Sequence, residues 1–223
     1  MKAVIFDMDG LLIDSEPMWK SAEEQVFSAL GVEVSEQLAS FTASMTTREV
    51  TEFWFSRFPW QNRSLESVEK EVIERVGALI QQDGIAKRGV LQIIKMLKQH
   101  ECKIGLATNA PESLVPLVLE KLEIADYFDC TVSSSEVDQG KPNPDVYLLA
   151  LDKLGVSATE TLAFEDSASG LRAATAAKIR TIVVPSIQDF EEADFEEAEL
   201  KIRHLAEFNA ERFSKLCQPV TLS

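Results

Sequence analysis

Short apolar runs that close on polar residues recur along the chain. Ala3-Val4-Ile5-Phe6 leads into Asp7-Met8-Asp9-Gly10, Lys103-Ile104-Gly105-Leu106-Ala107 into Thr108-Asn109, and Thr161-Leu162-Ala163-Phe164 into Glu165-Asp166-Ser167. Such runs, too short for helices and rich in branched residues, read as strands buried on both faces. The pattern predicts strands at Lys2–Phe6, Lys103–Ala107, Cys130–Ser133, Thr161–Phe164 and Arg180–Val184, with a weaker one at Glu199–Ile202. Helical spacing fills most of the gaps between them. Alternating strand and helix implies an α/β fold whose core is a doubly wound, Rossmann-like parallel sheet.

From Ser15 to Asp83 the pattern changes, and no comparable strand occurs. Trp19, Ala22, Val26, Ala29 and Leu30 recur at helical spacing up to Gly31, Thr46 to Glu49 has the form of a capping box, and Leu65, Val68, Val72, Val76, Leu79 and Ile80 form the stripe of a longer helix that Gly84 ends. The expected organisation is a core of residues 1–14 and 84–223, interrupted by an all-helical insert of residues 15–83. Pro116 interrupts the helix expected over Pro111–Leu122, so that helix is kinked or begins late.

Composition narrows the partners. With 22 basic and 37 acidic residues the formal net charge is −15, which disfavours a nucleic-acid groove or an anionic membrane surface. A local basic site for a small phosphorylated molecule is compatible with it. No apolar run approaches the ~20 residues that span a bilayer. Three widely spaced cysteines argue against a disulfide framework or a CxxC metal site. With an N-terminus that opens directly on a strand, the expectation is a cytoplasmic protein, with monomer as the default state. Seven acids and no base between Asp189 and Glu199 read as a solvated face.

The chemistry sits where strands end, which is where open parallel sheets bind ligands. Asp7 and Asp9, at positions i and i+2, would project into one crevice from an extended chain. Asp-Gly is also a common turn dipeptide. As a functional pair, two close carboxylates require a hard cation such as Mg²⁺, or one of them stays protonated. Thr108-Asn109-Ala110-Pro111 follows the second strand. Gly140-Lys141-Pro142-Asn143-Pro144-Asp145 precedes a helix over Val146–Leu154, with Asn143 as N-cap and Pro144 at its first position. The order along the chain is paired acids, hydroxyl, lysine, paired acids.

That order, with the opening FDMDGLLIDSEPMW and the GKPNPD segment, resembles the haloacid dehalogenase-like hydrolases over essentially the whole chain. It is most similar to the helical-cap phosphatases of hexitol and 2-deoxyglucose 6-phosphates, with β-phosphoglucomutase-like enzymes as the wider circle. The resemblance implies a phosphoric monoester hydrolase acting on a small phosphorylated metabolite, with the insert as cap. It implies Asp7 as nucleophile and Asp9 as general acid, then base, with Thr108, Asn109 and Lys141 binding the phosphoryl group. Mg²⁺ is implied on Asp7, the backbone carbonyl of Asp9, and Asp166, with Glu165 orienting a metal-bound water. Thr47 and Arg48 are cap candidates for specificity, and Trp19, Trp54 and Trp60 could stack on a sugar. Where the mutases carry histidine this chain has Trp19, which weakens the isomerase alternative. A phospho-acceptor signalling domain would have no use for Asp9 or the insert, and a carbon–halogen hydrolase would need neither Asp9 nor the paired acids.

Overall fold

The computed structural model describes residues 1–39, 41–42, 45–191 and 193–217. Six parallel strands, β1 (Ala3–Phe6), β2 (Lys103–Thr108), β3 (Cys130–Ser133), β4 (Thr161–Glu165), β5 (Arg180–Val183) and β6 (Leu200–Lys201), form one sheet in the order β3-β2-β1-β4-β5-β6. The chain builds outward from β1 on one side, then crosses to the other at β4. The crevice at this reversal lies between the C-terminal ends of β1 and β4.

Alternation along the strands divides the core by sheet face. Val4, Phe6, Ile104, Leu106, Leu162 and Phe164 belong to one fully buried cluster, with Ile93, Ile94 and Leu97 of α5 (Val90–Gln99). Ala3, Ile5, Ala107 and Ala163 face the other way, against Val146, Tyr147 and Ala150 of α7 (Asp145–Leu154) and Ala173 and Ala174 of α8 (Ala168–Ala176). The rings of Phe6 and Phe164 stack at 5.1 Å. Tight packing on both faces fixes the strand ends, and with them the groups those ends carry.

Helices α1 (Glu16–Ala29), α2 (Glu36–Ala39), α3 (Thr47–Arg57) and α4 (Leu65–Asp83) follow β1 before the chain returns to the sheet through α5. The capping box of α3 forms as expected, Thr46 accepting the Glu49 N–H while Glu49 takes the Thr46 N–H. Four-residue α2 is too short to leave a periodic signal in the sequence. α4 packs against α1 and α3 and, on its other side, against α6 (Leu114–Lys121) beside the sheet. The two connections to the insert lie side by side. Lys87 N–H bonds Leu12 C=O at 2.9 Å, and Asp14 N–H bonds Ile85 C=O at 3.2 Å.

Element ends shift by a residue or two from expectation. α6 starts at Leu114, so Pro116 falls in its first turn, where no intrahelical N–H is required. Pro144, rather than Asn143, is the N-cap of α7, and Asn143 instead donates to Gly140 C=O at 3.3 Å. β6 keeps only Leu200–Lys201 of the expected strand. No helix among the described residues is long and apolar enough to cross a membrane.

Candidate active site

Register brings the acids together. Phe6 is level with Leu106 on β2 and with Phe164 on β4. Asp7, one residue on, therefore stands beside Glu165, with Thr108 at the neighbouring strand end. The loop before α7 adds Lys141, whose Nζ donates to Asp7 Oδ1 at 2.5 Å and to Glu165 Oε1 at 2.6 Å. Tyr147 completes the group by donating its hydroxyl to the same Glu165 oxygen. All four are buried.

Asn109 explains why Lys141 points inward. Its side-chain oxygen accepts the Lys141 N–H at 2.7 Å, and its amide nitrogen donates to Lys141 C=O at 3.0 Å. This two-point clamp on one residue joins β2 to the lysine loop, so the Asn109 side chain acts on position. Thr108 Oγ1 accepts the Ala110 N–H at 3.0 Å, which leaves its hydroxyl proton to donate.

Asp166 lies over Gly10. A Cβ at Gly10 would come within 1.9 Å of Asp166 Oδ2, and the residue's φ of +73° independently favours glycine. Gly170, inside α8, plays the same part for Glu165, whose carboxylate a Cβ would meet at 2.0 Å. Glycine in a helix interior costs about 1 kcal/mol relative to alanine, and the close approach accounts for its presence.

Carboxyl oxygens of Asp7, Glu165 and Asp166 lie within 4.8 Å of one another. Among the described residues, Lys141 is the one ammonium bonded to this trio. Burial works against the lysine's charge, but Asp7 and Glu165 outweigh it and hold the ammonium well above its usual range. Burial and the Asp7 charge push the Glu165 carboxyl up to about 7, with Lys141 and Tyr147 pulling the other way. Asp166 is raised well above the carboxylate range by burial, then by Asp7 and Glu165. Glu165 Oε2 is buried without a hydrogen-bond partner among the described residues. An orphaned carboxylate oxygen and excess negative charge in an all-oxygen cluster fit a hard divalent cation.

Asp9 stands apart from this trio. β1 ends at Phe6 and the chain turns at Gly10. While Asp7 faces Lys141, Asp9 Oδ1 accepts Ser15 Oγ–H at 2.5 Å and the Trp19 ring N–H at 3.1 Å. Burial pushes its carboxyl up to about 6, against those two hydrogen bonds and with help from the Asp7 charge. The side chain of Asp9 is thus outside the carboxylate cluster.

The other candidates divide. Trp54 and Trp60 are buried in the insert, packed around Phe27, whereas Trp19 turns its N–H to Asp9. Thr47 is buried, and Arg48 spends its guanidinium on Glu52 at 2.7 Å and Glu69 at 3.4 Å. Neither hydrogen-bonds the cluster among the described residues. His100 packs on Phe213 and His204 pairs with Glu207, both away from the strand-end acids.

Ser15 and Tyr147 were not singled out from sequence. For Tyr147 a signal existed: its ring falls in the buried stripe Val146, Tyr147, Ala150, Leu151 and Leu154, where a phenol hydroxyl needs a partner. Tyr147→Phe keeps the ring and removes that partner from Glu165. The expected result is a loss of about 1–2 kcal/mol in unfolding free energy, read by urea denaturation; a change below about 0.3 kcal/mol would show the bond to be dispensable.

An α/β sheet with a buried lysine among carboxylates at the C-terminal ends of its central strands, and a helical insert beside it, is a scaffold on which more than one class of chemistry can be built. Comparison with known proteins identifies which. Residues 4–184 match the family model described as haloacid dehalogenase-like hydrolase. The chain is 36% identical over 209 residues to hexitol phosphatase B of Escherichia coli strain K12, covering 93% of this chain and 94% of that protein. It is 35% identical over 191 residues to the phosphorylated carbohydrates phosphatase of Thermotoga maritima, covering 85% and 88%. Among solved structures, CbbY from Rhodobacter sphaeroides in complex with phosphate superposes with a TM-score of 0.83 at 26% identity, covering 93% and 96%. The chain belongs to the haloacid dehalogenase-like hydrolase family.

Proposed function

We propose that this enzyme is a Mg²⁺-dependent phosphatase of small sugar or polyol phosphates that works through an aspartyl-phosphate on Asp7. The observation that carries the reading is the division of labour between two carboxylates two residues apart. Asp7 lies in the lysine-bearing acidic cluster, while Asp9 sits outside it on Ser15 and Trp19, its carboxyl raised toward neutrality. The names of the Escherichia coli and Thermotoga maritima relatives support a carbohydrate-derived ester.

In this mechanism Asp7 attacks phosphorus in line and Asp9 protonates the departing sugar oxygen. Asp9, then ionised, takes a proton from the water that hydrolyses the acyl phosphate. Lys141 and the Thr108 hydroxyl, with the Asn109 backbone N–H, hold the phosphoryl oxygens. Asp7, Asp166 and the Asp9 carbonyl would hold Mg²⁺, with Glu165 beside it; when bound, the ion neutralises phosphoryl charge. Residues 15–83 serve as a cap that excludes water and contacts the part of the substrate that does not react. The free, partly buried thiols and the acidic surface support a monomer in a reducing cytoplasm.

Trp19 supports hydrolysis over sugar-phosphate isomerisation, since its ring N–H can only donate and cannot exchange protons with Asp9. Purified protein with Mg²⁺ is expected to release inorganic phosphate from sugar and polyol phosphates, and to stop on addition of EDTA. Undiminished turnover in EDTA would overturn the metal assignment. Conversion of a sugar 1-phosphate to its 6-phosphate without phosphate release would replace the phosphatase reading with the isomerase one.

A further inference from the structure

Helix α1 carries a carboxylate that its packing does not explain. Ala22, Val26 and Phe27 bury the inner face of this helix. With 3.6 residues per turn, positions 19, 23 and 27 drift by about 40° at each step, so Glu23 falls on the arc between Trp19 and Phe27. It is half-buried there. Among the described residues it makes no hydrogen bond or ion pair. Burial pushes its carboxyl up to about 7 with nothing opposing the shift. A desolvated carboxylate without a partner opposes folding, and a leucine would fit this stripe better.

Glu23 also has a defined place relative to Asp9. Ser15 and Trp19 both donate to Asp9 Oδ1, and Glu23 is the next residue in that i, i+4 series. It lies one turn beyond Trp19, about 6 Å along the axis at about 1.5 Å per residue. The carbon chain of a substrate starts at the leaving oxygen beside Asp9. An extended chain advances about 1.2 Å per bond, the spacing implied by about 3.5 Å per three-bond residue. Hydroxyls four or five bonds from the leaving oxygen therefore come level with Glu23, and an ionised carboxylate only accepts hydrogen bonds, from up to about four directions.

Resting on the phosphatase reading above, we infer that Glu23 is a specificity-determining residue, whose carboxylate accepts hydrogen bonds from hydroxyls at the far end of the substrate. It selects polyol and sugar phosphates over esters with apolar or anionic tails. The unfavourable burial in the free enzyme is relieved when those hydroxyls arrive.

The test compares a hexitol 6-phosphate with p-nitrophenyl phosphate, which would form the same phosphoenzyme and has no hydroxyl to offer. For Glu23→Gln and Glu23→Leu, the ratio of kcat/KM for the hexitol ester to that for the aryl ester is expected to fall about tenfold to a hundredfold, the range for a hydrogen bond to a charged group. The loss should appear mainly in KM, and the thermal midpoint of Glu23→Leu should equal or exceed that of the wild type. A ratio unchanged within twofold in both variants overturns the assignment. So does a midpoint lowered by several degrees in both, which would make Glu23 a structural residue. Wild-type protein that hydrolyses neither ester with Mg²⁺ would remove the phosphatase reading itself, whereas turnover of both with an unmoved ratio removes only the role of Glu23.

Discussion

Asp7→Asn is expected to lower phosphate release by about 10⁴-fold or more, the order of loss when the nucleophile of a covalent mechanism is removed. The amide has no lone pair of comparable nucleophilicity and cannot form the acyl phosphate. The protein should still fold. Lys141 keeps its bond to Glu165 at 2.6 Å, and loss of the Asp7 charge relieves repulsion that now raises both Glu165 and Asp166. The thermal midpoint should therefore be no lower than that of the wild type. Beryllium fluoride, which mimics an aspartyl-phosphate, should protect the wild type from thermal unfolding and leave the variant unaffected. Activity above about one per cent in a preparation free of contaminating phosphatase would count decisively against Asp7 as nucleophile.

Strand placement was legible because it rests on local composition. The apolar runs at Ala3–Phe6 and Thr161–Phe164 can only be buried, and their ends hold to within a residue. Burial on both faces left no competing reading. Contacts between distant segments were another matter. The Asn109 clamp on Lys141 spans 32 residues, and the bond from Lys141 to Glu165 spans 24. Nothing in local spacing marks Asn109 as a clamp or ties Glu165 to a lysine as well as to the acids beside it. Trp19 is instructive in the same way. Its helical spacing placed it on a packing stripe, and packing is only half its role, because the ring nitrogen reaches across to Asp9. That bond depends on where α1 lies relative to the loop after β1, which a one-dimensional pattern does not contain. Glu23 gives no local signal either. A lone acid on a helix is ordinary in sequence, and its isolation among the described residues emerges only from the fold.

Asp9→Asn separates an acid–base role from a structural one. Were Asp9 only a strand-end residue lending its backbone carbonyl to a metal, the amide would leave the rate nearly intact. The carbonyl survives the change, and the oxygen of the new side-chain amide can still accept from Ser15 and Trp19. Where acid and then base are required, however, the amide does neither job, since it neither releases nor takes a proton near neutrality. General acid–base groups contribute about 10²–10⁴-fold, and a loss in that range is expected for alkyl sugar phosphates. For p-nitrophenyl phosphate the leaving group departs without protonation, so formation of the phosphoenzyme should suffer much less. Water attack would still lack its base. Phosphoenzyme should accordingly accumulate with the aryl ester, appearing as a burst of p-nitrophenol of up to one equivalent followed by slow turnover. Small and equal losses on both esters, with no burst, would show that Asp9 is structural and that the two-step assignment is wrong.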